Sequence, residues 1–106
     1  MNKLLVVITS LPDKETAQEL GRKLVTENLA VCVQIHQGVQ SIYQWKGRLC
    51  EEQEVLLHAK TTFDKWPTIR NYIKKHHPYE LPEIIAQAIE EYDDAYGQWI
   101  QSEIGG

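Results

Sequence analysis

The chain has 106 residues, a length that fits one domain over 1–106, and a formal charge of -4 with its lysines and arginines scattered along it. Nucleic acid and acidic lipid both need a concentrated basic surface, so neither is expected as a partner. Two cysteines, Cys32 and Cys50, are too few for a disulfide-built secreted scaffold. The opening apolar run is too short for a signal-peptide core or a membrane span, so a cytoplasmic protein with reduced thiols is expected.

Leu4-Leu5-Val6-Val7-Ile8 is a continuous apolar run closed by Leu11-Pro12, which predicts a first strand buried on both faces. Asp13 can cap a helix in which Ala17, Leu20, Gly21, Leu24 and Val25 recur at helical spacing. Glu27-Asn28 supplies its stop, because Asn tolerates the left-handed conformation. From Leu29 the period changes to two. Leu29, Val31, Val33 and Ile35 share one strand face, Gly38 marks a bulge, and Ser41, Tyr43 and Trp45 continue on one side. Lys46-Gly47-Arg48 turns the chain, and Leu49–Thr61 returns.

Pro67 restricts where a second helix begins, since proline is tolerated only in the first turn. A cap at Asp64 satisfies that limit. Trp66, Ile69, Tyr72 and Ile73 form its apolar stripe, Lys74, Lys75 and His76 complement its C-terminal dipole, and Pro78 ends it. Glu83–Ile89 reads as a fourth strand. Asp93 or Asp94 caps a short last helix with Tyr96, Trp99 and Ile100. The fold class is α+β: a ferredoxin-like split βαβ antiparallel sheet with two helices on one face, a long central hairpin and a short C-terminal helix.

Two helices cover one face of such a sheet, yet the first strand is apolar on both sides. A central hairpin far longer than the usual strand carries Tyr43 and Trp45 toward its tip, where they form an exposed aromatic patch. A second copy of the chain would cover both, and a homo-oligomer is expected. The competing arrangement folds the C-terminal helix over the open face.

These stretches together resemble the CutA divalent-cation tolerance family. The resemblance runs through Leu11-Pro12-Asp13, Leu29-Ala30-Val31-Cys32-Val33, Ser41-Ile42-Tyr43-Gln44-Trp45-Lys46-Gly47, Glu54–Thr62, His76-His77-Pro78-Tyr79-Glu80-Leu81-Pro82-Glu83, and Tyr96 with Trp99. It covers nearly the whole chain in order. It implies a ferredoxin-like homotrimer linked to copper and other divalent metals, and no enzymatic activity or organic cofactor. Mammalian relatives are associated instead with acetylcholinesterase anchoring. Of the metal ligands proposed for bacterial relatives, a histidine matches His76 and a glutamate matches Glu83. A cysteine common before the Pro-Asp turn is replaced by Thr9, which removes the soft ligand best suited to Cu(I). Ala88, Tyr92 and Gly97 also stand where Pro, Gly and Leu are usual.

On the residues alone, imidazole and carboxylate suit Cu(II) or a similar divalent ion. His76 and Glu83 lie across two prolines, so only tertiary structure can bring them together. His77 is adjacent to His76, but extended chain would point the two rings apart. Glu80 can substitute for Glu83, and Cys50 near the hairpin tip is a thiol that can capture copper. The plainer reading makes His76 a helix end and the following residues a stiff entry to the last strand. Tyr43, Trp45 and Tyr79 are expected as packing anchors between subunits. His36 and His58 are expected as interface or core hydrogen-bonders, and Cys32 as a small core residue. A second functional reading, by fold analogy, is a PII-like signalling trimer that binds a small molecule or anion between subunits.

Overall fold

The structure, a computed structural model, describes residues 3–104. The elements in order are β1 (Leu4–Leu11), α1 (Lys14–Thr26), β2 (Cys32–Trp45), β3 (Arg48–Thr62), a 3-10 turn (Phe63–Lys65), α2 (Trp66–His76), β4 (Ile84–Ile89) and α3 (Asp94–Ile104). The strands form one sheet in the order β2-β3-β1-β4, and every neighbouring pair is antiparallel. The expected ferredoxin-like architecture is therefore present.

Helix α1 begins where Asp13 Oδ1 accepts the Thr16 N–H at 2.7 Å. It ends with Asn28 at φ 59°. The Asn28 N–H donates to Val25 O at 3.0 Å and the Leu29 N–H to Leu24 O at 2.9 Å. That pair of bonds is a Schellman motif, which brings the residue after the left-handed one back onto the last helical turn. Leu29 is thus committed to closing the helix, and β2 starts at Cys32 rather than at Leu29. Leu29 and Leu24 are both buried in the core.

The second expected boundary also moves. Asp64 does not cap α2; its carboxylate accepts a hydrogen bond from the Thr62 hydroxyl within a 3-10 turn, and the helix starts at Trp66 with Pro67 in its first turn. Ile69 and Ile73 are completely buried, while Trp66 and Tyr72 flank them against the same core. Each fully buried Leu or Ile contributes about 1.5–3 kcal/mol relative to exposure.

Alternation assigns the sheet's two faces. Val7 and Leu11 of β1, Val55, Leu57 and Ala59 of β3, and Val33 and Ile35 of β2 face α1 and α2. Val6 and Ile8, Leu56 and His58, and Gln34 and His36 face the other way. The competing arrangement foreseen for α3 is partly realised. Leu4 and Thr62 on this second face are buried, as is Ile100 of α3, and Lys60 Nζ lies 5.6 Å from the Tyr96 ring. α3 therefore covers the Leu4–Thr62 end of the face. Farther along, Val6 and Ile8 stay half-buried and Ile85 is 46% exposed.

β1 stops opposite Val55, but β2 and β3 continue to a turn at Lys46 and Gly47, whose φ angles of 51° and 77° suit a tight hairpin. A register shift between His36 and Val39 accommodates Gly38 as the predicted bulge. The result is a two-stranded ribbon reaching past the helices, and the molecule is 44 Å long against 26 and 23 Å across.

Two of the family departures at the C-terminus explain each other. A Cβ at Gly97 would collide with the Tyr92 ring, so the bulky side chain carried at 92 occupies the space needed at 97. Gly→Ala inside a helix ordinarily stabilises by about 0.5–1 kcal/mol. Here Gly97→Ala should destabilise, by roughly 1–3 kcal/mol for an overpacked site. In a Tyr92→Ala background the same change should become stabilising. A double-mutant cycle in urea reads the sign reversal, and additive effects would refute the exchange.

Candidate functional site

Pro78 stops α2, and His77 takes extended angles of φ -81° and ψ 140°. That change of direction lays residues 77–83 over the C-terminal end of β1 and the base of the ribbon. His77 fastens the crossing. Its Nε2 lies 2.8 Å from Ser10 O, and its Nδ1 accepts the Tyr79 N–H at 3.1 Å. A carbonyl only accepts and an N–H only donates, so the two partners together select the neutral Nε2–H tautomer. Burial lowers the His77 pKa below 6.5, although the Ser10 carbonyl and Glu54 pull the other way. With both nitrogens engaged, His77 serves as a clip and has no free lone pair for a metal in this conformation.

The clip aims Tyr79 at β3. Its hydroxyl donates to Glu54 Oε2 at 2.6 Å, and Glu54 is only 8% exposed. Burial, then the Glu54 carboxylate, push the Tyr79 phenol above its usual range. One step along the same strand face, the Tyr43 hydroxyl donates to Glu52 Oε1 at 2.9 Å, which raises its pKa to about 12. Neither carboxylate is matched by a cation there: the only salt bridge found among the described residues joins Lys23 to Glu19.

Between the ribbon and the crossing segment lies a cleft of about 710 Å³. Glu52, Glu54, Glu80 and Glu83 contribute to its wall, with Cys50, Tyr43, Trp45, Tyr79 and Leu81, and no lysine or arginine does. The structure thus gathers Glu83, Glu80, Cys50 and the three expected aromatics around one space. His76 is not part of that wall; it is exposed at the end of α2, with its ring 4.3 Å from that of Tyr72. Among the described residues no group of three or more His, Cys, Asp or Glu side chains converges as a ready-made metal cage. Thr9 is fully buried, and its hydroxyl makes no hydrogen bond to any described residue.

Sequence reasoning overlooked Glu52 and Glu54. The alternation that puts Cys50, Glu52 and Glu54 on one face was legible, but the approach of Tyr79 from a loop beyond α2 was not. No helix among the described residues is long and apolar enough to cross a membrane.

A sequence profile of the CutA1 divalent ion tolerance protein family matches residues 5–103. The chain is similar to the divalent-cation tolerance protein CutA of Thermus thermophilus, at 41% identity over 94% of this chain and 97% of that protein. A solved structure of the divalent cation tolerance protein from T. thermophilus superposes with a TM-score of 0.91 at 40% identity, covering 94% of this chain and 97% of the other. That of CutA1 from Oryza sativa gives 0.93 at 31% identity, covering 96% and 94%.

A histidine whose folded pKa lies below its unfolded value stabilises the fold fully above the unfolded value, and the contribution is lost as pH falls toward the folded one. The His77 contribution should therefore disappear on acidification below about 6.5. His77→Gln keeps a donor and an acceptor without a titrating ring. Urea unfolding at about pH 7.5 and about pH 5.5 should show a smaller acid loss in His77→Gln than in the unsubstituted chain, with His58 common to both. Equal losses would detach the clip from the pH response.

Proposed function

The chain belongs to the CutA1 divalent ion tolerance family, and we propose that it binds Cu(II) or a similar divalent ion as a homotrimer, in a role of binding without catalysis. The observation that carries the reading is the cleft wall, with four glutamates, one thiol and no cationic side chain. Carboxylate oxygens and a thiol sulfur gathered without a cationic side chain favour a cation. His76, exposed at the adjoining helix end and outside that wall, is the borderline nitrogen donor that this reading adds, and its ring must turn from Tyr72 to reach the cleft. Glu83, Glu80 and Cys50 are the nearer donors, while His77 holds the segment in place.

Self-association is supported by surface that one copy leaves wet. Ile42 is 62% exposed, Leu49 68% and Leu81 70%, all at the ribbon or the cleft rim. Two-stranded ribbons are marginal alone in water. Three copies is the number that the family resemblance implies. The alternative of a PII-like trimer taking an anion is less well supported, because a wall of glutamates repels negative charge.

Copper(II) titration, with the ion counted per subunit, tests the site. Cys50→Ala, Glu83→Gln and His76→Ala should each weaken binding by at least the roughly 10- to 100-fold that even outer partners of a metal ligand are worth. Sedimentation at low micromolar concentration should give the mass of three chains. Copper affinity unchanged from the unsubstituted chain in all three variants would remove the assignment, and a stable monomer would remove the assembly.

A further inference from the structure

The open sheet face carries a pair of imidazoles outside the cleft. His36 of β2 stands opposite Leu56 and His58 of β3 opposite Gln34, so the histidines are diagonal neighbours on one face. Their ring centroids are 4.6 Å apart with the planes inclined at 46°. Metal–nitrogen bonds of about 2.0–2.1 Å with rings pointing at the ion separate two imidazole centroids by roughly 4.5–5 Å when the N–metal–N angle is near 90–110°. The observed spacing meets that requirement and lies at the short end of the roughly 4.5–7 Å found for packed rings.

We propose that His36 and His58 form a second, two-imidazole site for a borderline divalent ion such as Zn(II), Ni(II) or Cu(II). The site stands on the sheet rather than on a loop, so register holds both donors. Imidazole is the protein ligand shared by these three ions, and the remaining positions are left to water or to another donor. A metal takes the neutral ring, the form that burial favours at His58. Burial lowers its pKa, with the neighbouring His36 and then Lys60 adding to the effect. The Lys60 ammonium shares the face and repels an incoming cation. It is held by Gln34 Oε1 at 2.9 Å and by the Tyr96 ring, rather than lying between the imidazoles. No carboxylate enters the pair, which distinguishes it from the cleft: hard ions such as Mg(II) should ignore it.

Zinc chloride titration of the full chain tests the site without redox complications. In the unsubstituted protein the imidazole carbon-bound proton signals of His36 and His58 should shift together with a common midpoint, and magnesium chloride should leave them in place. His36→Gln and His58→Gln should each lower the affinity of this site by tenfold or more, while Cys50→Ala and Glu83→Gln leave it unchanged. Loss of cleft binding in those last two variants, with the paired shifts intact, would support the cleft and this site as separate sites. Imidazole signals that stay fixed under saturating zinc, or that move with different midpoints, would show that the two rings merely pack. The spectral readout needs no substitution and decides the matter even if a variant fails to fold.

Discussion

The register of β1 against β3 governs the molecule. It runs from Leu4 opposite Thr62 to Leu11 opposite Val55, and β1 then ends while β3 extends back to Arg48. Beyond Leu11 the hairpin has no third strand and no helix beneath it. The cleft exists because the segment after α2 crosses that step, where the sheet narrows from four strands to two. Without the overhang, residues 77–83 would lie against a complete sheet.

Charge follows from the same step. Glu54 sits where the sheet ends, nearly buried, and its carboxylate is answered by a phenol rather than by an ammonium. A hydrogen bond to a charged acceptor is worth about 1.5–3 kcal/mol, enough to keep the carboxylate in place but not to neutralise it. Glu52, Glu80 and Glu83 line the same cleft. Four glutamates and no lysine or arginine on one wall make the composition of the cleft a property of the fold as well as of the sequence.

Much of this was readable from residues. Asp13, Asn28, Gly38, Pro67 and Pro78 each act through local backbone chemistry, and the structure uses each one where it was expected to act. The misplacements have a common origin. Leu29 belongs to an alternating apolar pattern and also to a Schellman motif, and hydrogen bonds to Leu24 and Val25 decide between them. Asp64 has the composition of a cap but meets the Thr62 hydroxyl first. The Tyr79–Glu54 and His77–Ser10 contacts join positions far apart in the chain, and no local pattern encodes them. Tyr92 and Gly97 looked like two unrelated departures from the family until their shared space was visible.

The open face sets a last constraint. Its middle is apolar along β1, with Val6 and Ile8 half-covered and Ile85 of β4 exposed, whereas the β2 side carries Gln34, His36, His58 and Lys60. α3 shields only the Leu4–Thr62 end, and its own Ile100 and Ile104 are consumed in doing so. Asn28 Nδ2 donates to Ile104 O at 3.2 Å, which ties this part of α3 to the end of α1. An apolar strip beside a polar row cannot be buried against a uniformly greasy surface, because the imidazoles, amide and ammonium would lose water without gaining partners. Whatever covers the strip must present polar groups on one side of it. A rotated copy of the same face offers that complement, since each copy carries both an apolar half and a polar half.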